Sequence, residues 1–149
     1  MRPKTLPLAG SCRCGQVRIE ITAPPLLTMA CHCAGCQKMS ASAYSLRAAI
    51  PTEAFRVTAG APVIGGLHGA AQHYFCPYCM SWMFTRMEGL DFFVNVRPTM
   101  FDDASWFAPL VETCVAERLP WAVTPARHSY DGFPPEADFG RLMREYAEG

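Results

Sequence analysis

Three cysteines, Cys31, Cys33 and Cys36, stand within six residues, and this spacing constrains the fold more than any other feature. A loop this short can wrap three thiolates around one ion, since Gly35 permits a tight turn before the last of them. Zn²⁺ prefers four tetrahedral ligands, so three thiolates leave one position open for water or substrate. The alternative is a metal-free redox or structural thiol cluster. The side chain of His32 should point away from its two neighbours, which favours a hydrogen-bonding or surface role.

Four more cysteines form two distant pairs with metal-ligand spacing. The pairs are Cys12-Arg13-Cys14 and Cys76-Pro77-Tyr78-Cys79. In extended chain Cys12 and Cys14 face the same side, and the second pair has the form of a knuckle whose N–H groups reach the sulfurs. Together they predict a closed four-thiolate zinc site, whereas unligated buried cysteines would not explain the paired spacing. The eighth cysteine, Cys114, has no such partner and is predicted to be a small buried hydrophobic residue.

Composition and charge exclude several classes of protein. The formal net charge is zero and no block of Lys or Arg occurs, which argues against nucleic-acid binding. No apolar run approaches the roughly 20 residues of a membrane span, and no secretory signal opens the chain. We therefore expect a cytoplasmic protein with reduced thiols, in which cysteines bind metal rather than form a disulfide framework. A length of 149 residues fits one domain spanning residues 1–149.

Hydrophobic patterning predicts a mainly β protein. Val17, Ile19 and Ile21 alternate with polar residues over 15–22, which is typical of a half-buried strand. Further extended segments are predicted at 43–50, 55–58, 62–64, 71–75, 82–85, 90–96 and 110–116. Only the end has a helical stripe, formed by Phe139, Leu142, Met143 and Tyr146 after a pair of prolines. We expect several coiled antiparallel sheets with a short C-terminal helix.

The cysteine motifs resemble those of a known family, the glutathione-dependent formaldehyde-activating enzymes, also called the CENP-V/GFA domain. The matching stretches are Gly10-x-Cys12-x-Cys14-Gly15-x-Val17, Cys31-His32-Cys33-x-x-Cys36-x-Lys38-x-Ser40 and His73-Tyr74-Phe75-Cys76-x-x-Cys79-x-Ser81, with Phe101-Asp102-Asp103 and Leu119-Pro120-Trp121 further on. The resemblance implies the Mss4-like fold. It also implies a structural zinc on Cys12, Cys14, Cys76 and Cys79 and a second zinc on Cys31, Cys33 and Cys36.

The activity that the resemblance implies is condensation of formaldehyde with glutathione to S-(hydroxymethyl)glutathione, a carbon–sulfur lyase reaction. This sequence departs from the family pattern at three positions. Met80 and Ala41 stand where glycine is common, and Gln37 stands where a basic residue is common. The departures leave the metal ligands intact and fall where they would shape the substrate pocket. Glycine at position 80 would suit a turn with positive φ. Met80 is therefore predicted either to be strained by roughly 1 kcal/mol or more, if the turn is retained, or to stand in a relaxed turn.

Three functions are consistent with these residues. An open three-thiolate zinc would capture and deprotonate an incoming thiol, with Cys31, Cys33 and Cys36 as the ligands of a catalytic centre. A small thiol such as glutathione and a small aldehyde would then be the substrates. The alternatives are a non-catalytic zinc-binding module and a thiol oxidoreductase on the same fold. Three nearby cations, Arg13, Lys38 and Arg47, are interpreted as solvated surface charges.

Overall fold

The computed structural model describes residues 2–149 and consists mainly of short β-strands. The strands are β1 Leu8–Ser11, β2 Arg18–Ile21, β3 Leu27–Cys31, β4 Ser45–Pro51, β5 Phe55–Ala59, β6 Val63–Ile64, β7 Ala71–Phe75, β8 Trp82–Met87, β9 Leu90–Val96, β10 Val111–Thr113 and β11 His128–Ser129. The helices are α1 Ala34–Ser40 and α2 Glu136–Glu148. Short 3-10 turns occupy Thr52–Ala54, Pro98–Met100 and Val115–Glu117.

The strands form two sheets. The small sheet has the order β1-β2-β5, and the large sheet has the order β11-β10-β3-β4-β9-β8-β7-β6. The predicted mainly β class with a short C-terminal helix is confirmed. The expectation of purely antiparallel pairing is wrong at one edge, where β10 runs parallel to both β3 and β11. Parallel neighbours need a long crossover connection, and the chain between Cys31 and Val111 supplies one.

The main core contains apolar residues of both sheets. Val17, Ile19 and Ile21 are no more than 1% exposed and belong to the same cluster as Phe84 and Val96 of the large sheet. The alternation predicted for residues 15–22 therefore identified the buried face correctly. The strand itself is shorter, since β2 begins at Arg18 and the residues before it form a turn.

The predicted C-terminal helix forms and buries the predicted stripe. Leu142 and Tyr146 of α2 are buried beside Leu27, Met29 and Val111 in a second apolar cluster, and the two other stripe residues pack against it. The amphipathic spacing thus explains why this segment becomes a helix on the surface of the large sheet. Neither helix of residues 2–149 has the length and hydrophobicity of a membrane-spanning segment.

One helix was not predicted. Helix α1 begins directly after Cys33, whose sulfur accepts a hydrogen bond from the Cys36 amide at 3.4 Å. None of its residues is fully buried, so it has no apolar stripe for periodicity to detect. The helix ends at Ala41, which adopts a left-handed conformation with φ 48°. A glycine would have no side-chain penalty at this position.

Candidate metal centre and adjoining cavity

The two cysteine pairs meet in one cluster. The sulfurs of Cys12, Cys14, Cys76 and Cys79 all lie within 4.8 Å of one another. The sulfurs of Cys12 and Cys14 are 3.5 Å apart, and those of Cys14 and Cys76 are 3.8 Å apart. Sulfurs bound tetrahedrally at about 2.3 Å from a zinc ion would be separated by about 3.8 Å. The donor set therefore fits a four-coordinate soft metal ion.

Two turns bring these four thiols together. The first follows β1, where the Cys12 amide donates to the Val17 carbonyl at 3.0 Å and the Val17 amide donates to the Cys12 sulfur at 3.3 Å. Gly15 allows this turn with φ 81°. Cys12 and Cys14 therefore lie in a tight turn and not in the extended chain that was predicted for them. The second turn, Cys76 to Cys79, joins β7 to β8.

Met80 closes the second turn in a left-handed conformation. Its φ is 59°, and its amide donates to the Cys76 carbonyl at 3.0 Å. The prediction that Met80 lies at a positive φ is confirmed. Ala41 also keeps a positive φ, so two of the three departures from the family pattern place a side chain where the backbone favours glycine.

Ser81 links the two turns. Its hydroxyl oxygen accepts a hydrogen bond from the Arg13 amide at 3.1 Å and lies 3.2 Å from the Cys79 sulfur. The contact with the Ser81 hydroxyl lowers the pKa of Cys79 to about 5. A lower thiol pKa favours the thiolate, which is the form that binds metal.

The triplet also converges. The sulfurs of Cys31, Cys33 and Cys36 lie within 4.8 Å of one another. Cys31 is the last residue of β3, Cys33 precedes the first turn of α1, and Cys36 lies in that turn. The first turn of α1, a helix that was not predicted, therefore places Cys36 close to Cys31. The three thiols face a shared point with no fourth cysteine, histidine or carboxylate atom of residues 2–149 in the group.

Two thiols of the triplet, Cys31 and Cys36, are electrostatically linked. Hydrogen bonding from Cys36 lowers the pKa of Cys31 to about 3 and outweighs burial, while the positive charge of Arg47 acts in the same direction. The same contact and burial raise the pKa of Cys36. Cys114 is buried, as predicted, and lies close enough to Cys31 that burial and the Cys31 charge raise its pKa to about 12. It has φ 56°, so a left-handed residue places this thiol beside the triplet.

His32 anchors the triplet to β10. The ring is fully buried, and its Nε2 lies 3.0 Å from Glu112 Oε2. Glu112 also accepts hydrogen bonds from Ser129 at 2.6 Å and Thr124 at 2.8 Å, and Arg118 lies 3.4 Å away. Of the two interpretations given for His32, the hydrogen-bonding one is correct and the surface one is wrong. Sequence spacing gave no signal for Glu112, which is 80 residues away.

Gln37 fastens the same loop from the other side. Its amide nitrogen donates to the His32 carbonyl at 2.7 Å and to the Glu117 carbonyl at 3.1 Å. The Glu117 carboxylate accepts from the Ala34 amide at 3.2 Å. The residue that replaces the family's common basic residue therefore holds the three-thiol loop against the segment after β10.

We expect Glu112→Gln to destabilise the protein by about 2–3 kcal/mol at pH 7, because an amide group would face hydrogen-bond donors. Burial tends to raise the pKa of Glu112, but hydrogen bonds from Ser129, Thr124 and His32 outweigh burial and lower it. A lowered carboxyl pKa contributes stability above the unfolded value of about 4.3 and loses it as pH falls through the folded value. The difference in unfolding free energy between wild type and variant should therefore be constant from pH 8 to about 5. Below about pH 5 the difference should shrink, because wild type loses the stability that the ionised Glu112 contributes.

Chemical denaturation across this pH range checks the prediction. Glu20→Gln is the matched control. Glu20 forms an ion pair with Arg56 on the small sheet, and the Arg56 side chain is 67% exposed, so water screens this pair. The Glu20→Gln substitution should lower the free energy of unfolding by less than about 1 kcal/mol. A Glu112→Gln variant as stable as the control at pH 7 would contradict the anchoring role.

The triplet opens into a cavity of about 430 Å³. This volume is within the usual range for small-molecule sites. Most of the wall is apolar, and the polar residues form a small group. The apolar lining includes Met29, Met39, Met87, Leu90, Phe93, Phe133 and Phe139, and the polar lining consists of Arg47, His73, Thr85, Asn95 and Arg97 besides the three cysteines.

The polar lining is a row across neighbouring strands. His73 of β7 pairs with Thr85 of β8, which pairs with Asn95 of β9. Side chains directly opposite each other in a sheet share a face, so these three side chains point the same way. Their neighbours in sequence, Phe84 and Val94, point to the opposite face and lie in the main core. One face of the large sheet is thus core and the other lines the cavity.

Thr85 organises this row. Its hydroxyl oxygen accepts from Arg97 Nη2 at 2.8 Å and from Trp82 Nε1 at 3.3 Å, and it lies 2.9 Å from His73 Nδ1. The two donors use both lone pairs of the hydroxyl, so its one proton goes to Nδ1 and the His73 proton lies on Nε2. Burial and the charge of Arg97 lower the pKa of His73, which keeps the ring neutral at pH 7.

The structure separates the predicted site residues from the missed ones. Both cysteine groups assemble as predicted, and all eight cysteines are free thiols, which contradicts the disulfide alternative.

The predicted surface cations have two outcomes. Arg13 and Lys38 are exposed, as predicted. Arg47 is not a solvated surface charge, since it is partly buried on the cavity wall. Sequence reasoning missed Arg97, whose signal was a charged residue directly after the apolar run of β9.

Comparisons with known proteins agree with this geometry. Residues 7–117 match the model of the family described as glutathione-dependent formaldehyde-activating enzyme. Two proteins named putative glutathione-dependent formaldehyde-activating enzyme are similar: one from Penicillium rubens, 32% identical over 66% of this chain and 55% of its own length, and one from Emericella nidulans, 34% identical over 54% and 45%. The chain therefore spans about half the length of the curated relatives it matches.

A solved structure, of a protein from Rhodobacter sphaeroides, has the same fold with a TM-score of 0.51 at 21% identity, covering 63% of this chain and 87% of that chain. The match to the family model includes all seven cysteines of the two clusters. On these grounds the chain belongs to the glutathione-dependent formaldehyde-activating enzyme family.

Proposed function

We propose that this protein is a zinc-dependent carbon–sulfur lyase that joins a small thiol to a small aldehyde, in the manner of S-(hydroxymethyl)glutathione synthase. The observation that carries the proposal is a group of three converging thiols in the wall of a cavity of about 430 Å³. A closed structural site would have a fourth protein ligand, whereas an open site keeps a position for a guest. Glutathione and formaldehyde are the substrates that the names of the family and of both relatives suggest.

The four-thiol cluster would hold a structural zinc ion. Cys12 and Cys76 are buried, and the four sulfurs leave no coordination position for a substrate. This ion would join the turn after β1 to the turn between β7 and β8. Its role is therefore to connect the small sheet to the large one.

In the three-thiol site, Cys31, Cys33 and Cys36 would hold the second ion. A bound zinc ion would stabilise an incoming thiol as its thiolate near neutral pH. The reaction forms one carbon–sulfur bond while the π bond of the aldehyde carbonyl breaks. The thiol proton leaves to solvent, and the former carbonyl oxygen takes up a proton from solvent. Neutral His73 presents an Nε2 proton on the cavity wall and would donate a hydrogen bond to that oxygen as its negative charge develops.

The remaining lining would bind the substrates and exclude water. The phenylalanine and methionine side chains give the cavity a largely apolar wall. Arg47 would favour anionic sulfur in the site, since its charge already lowers the pKa of Cys31. Gln37, His32 and Glu112 would hold the ligand loop in place through the hydrogen bonds described above.

The direct test is the condensation itself. Zinc-loaded protein is mixed with glutathione and formaldehyde at equilibrium, and the exchange between free formaldehyde and the adduct is measured by two-dimensional exchange NMR. We expect exchange faster than the uncatalysed background, in proportion to protein concentration. A rate equal to background with both metal sites loaded would refute this activity and favour the non-catalytic zinc-binding module.

A further inference from the structure

Two arginines of the cavity wall form no ion pair with any carboxylate of residues 2–149. Arg47 lies on β4, and Arg97 follows the last residue of β9. Neither takes part in any of the ion pairs formed within residues 2–149. Removing a guanidinium from water is costly unless a counter-charge and hydrogen bonds replace the water. Both residues also line the cavity that contains the three thiols.

Arg97 is fixed in position by neutral groups. It is 7% exposed, its Nη1 donates to the Leu46 carbonyl at 2.9 Å, and its Nη2 donates to the Thr85 hydroxyl at 2.8 Å. Its Cζ lies 3.6 Å from the centroid of the Trp82 ring. Burial and the charge of Arg47 lower the pKa of Arg97 to about 9, which leaves it protonated at pH 7. These contacts orient the guanidinium without neutralising it.

Several buried polar atoms around the arginines are unsatisfied. Arg47 Nε, Arg97 Nε and Asn95 Oδ1 are buried and find no hydrogen-bond partner among residues 2–149. Buried polar atoms are satisfied in most proteins, so unsatisfied ones on a cavity wall indicate a missing ligand. Guanidinium groups match carboxylates in geometry and charge, since each offers donors in a planar fork.

A second cavity extends the site beyond Arg97. It has a volume of about 360 Å³ and shares Met39, Trp82 and Arg97 with the first. Its lining includes five residues with hydroxyl groups, Ser40, Ser42, Tyr44, Ser45 and Thr99. Arg97 therefore lies between a largely apolar space next to the thiols and a more polar space beside it. A ligand anchored at Arg97 has room for a polar remainder.

We propose that Arg47 and Arg97 bind a carboxylate of the substrate thiol, so that this site selects acidic thiols over neutral ones. The inference rests on the proposed function, since it assumes that a thiol occupies the open position of the three-thiol site. Three thiolates and one Zn²⁺ carry a single net negative charge, and an incoming thiolate would raise it to two, which the two guanidiniums would balance. The carboxylate site is therefore supported by the unsatisfied donors, Arg47 Nε and Arg97 Nε, and not by an excess of positive charge. An arginine pair that served only to balance the metal centre would bind neutral and acidic thiols alike.

Calorimetric titration of the zinc-loaded full chain separates these possibilities. The probes are 3-mercaptopropionate, its neutral amide 3-mercaptopropionamide, and propionate. We expect wild type to bind the acid roughly 10- to 100-fold more tightly than the amide, the usual range for a charge-assisted pair. In Arg97→Gln and in Arg47→Gln this ratio should fall towards one, because the affinity for the acid should fall more than the affinity for the amide. Arg56→Gln, on the small sheet, is the matched control and should keep the wild-type ratio.

Each outcome decides between the two proposals. Equal affinity of wild type for acid and amide, or an unchanged ratio in both arginine variants, would overturn the carboxylate site and leave the proposed function standing. Arginine-dependent binding of propionate without binding of either thiol would overturn thiol capture and keep the carboxylate site. Zinc content and thermal unfolding are measured for each variant. If Arg97→Gln does not fold, Arg47→Gln decides, because Arg47 is only partly buried.

Discussion

Cys76→Ser is expected to unfold the protein at room temperature. Cys76 is fully buried and belongs to the cluster that joins the turn after β1 to the turn between β7 and β8. A structural zinc site contributes on the order of 10 kcal/mol to folding, which is comparable to the whole stability of a typical domain, about 5–15 kcal/mol. Far-UV circular dichroism and amide-proton NMR dispersion should both report loss of structure, and a strong chelator should do the same to wild type.

Cys114→Ser is the matched control for this variant. Cys114 is also buried, at 7% exposure, but lies outside both groups of converging thiols. Placing a hydroxyl in its environment should cost about 1–3 kcal/mol and leave the protein folded. If Cys76→Ser kept a native spectrum and an unfolding midpoint like that of Cys114→Ser, the four-thiol cluster would not be a structural metal site.

The second large effect is expected from Cys33→Ser, which should reduce the condensation of glutathione with formaldehyde to the uncatalysed rate while the fold is kept. Loss of one thiolate of three leaves too few protein ligands for a tightly held ion. The fold survives because Cys33 is the N-cap of α1, and serine is a preferred N-cap residue that accepts the same amide hydrogen bond. Exchange NMR gives the rate, and circular dichroism checks the fold.

Lys38→Gln is the control in the same helix. Lys38 is exposed in α1 and contributes nothing to the ligand set, so its rate should stay within about twofold of wild type. A Cys33→Ser variant that condensed the substrates as fast as Lys38→Gln would remove the three-thiol site from the mechanism. The activity would then have to be sought elsewhere in the protein.

The sequence predicted both thiol clusters because the cysteines of each pair and of the triplet are close in sequence. The two pairs lie 62 residues apart, and they were joined because a closed zinc site needs four ligands. Two cysteines separated by one or two residues can reach one ion from a single turn, whatever the surrounding fold. The alternation of apolar and polar residues is also a local signal. Over the eight residues 15–22 it correctly predicted that Val17, Ile19 and Ile21 are buried in the main core. The positive φ of Met80 was predictable for the same reason, since the knuckle turn determines it.

Strand pairing between distant segments, and the side-chain contacts that result from it, were not predictable. The parallel pairing of β10 with β3 joins residues about 80 positions apart, and the Glu112 contact that anchors His32 results from it. Helix α1 was missed because seven residues with no buried side chain give no periodic signal. In both cases tertiary contacts decide the structure, and local propensity does not.

The polar row of the cavity is an intermediate case. Thr85 and Asn95 alternate with the core residues Phe84, Val94 and Val96, so the sequence is consistent with their lying on the face away from the main core. Their partnership with His73 depends on strand register, which the sequence did not specify. Arg47 was wrongly predicted to be a surface charge because most arginines in folded proteins are exposed. Its partly buried position depends on the cavity, which the sequence does not show.

We propose that the seven cysteines of the two clusters form one sealed metal site and one open metal site. Mass-spectrometric zinc analysis of purified wild type and Cys33→Ser tests this division. We predict two zinc ions per chain in wild type, one in each thiol cluster, and one in the folded Cys33→Ser variant. A single zinc ion per chain in both proteins would contradict the claim, because the three-thiol site would then hold no metal.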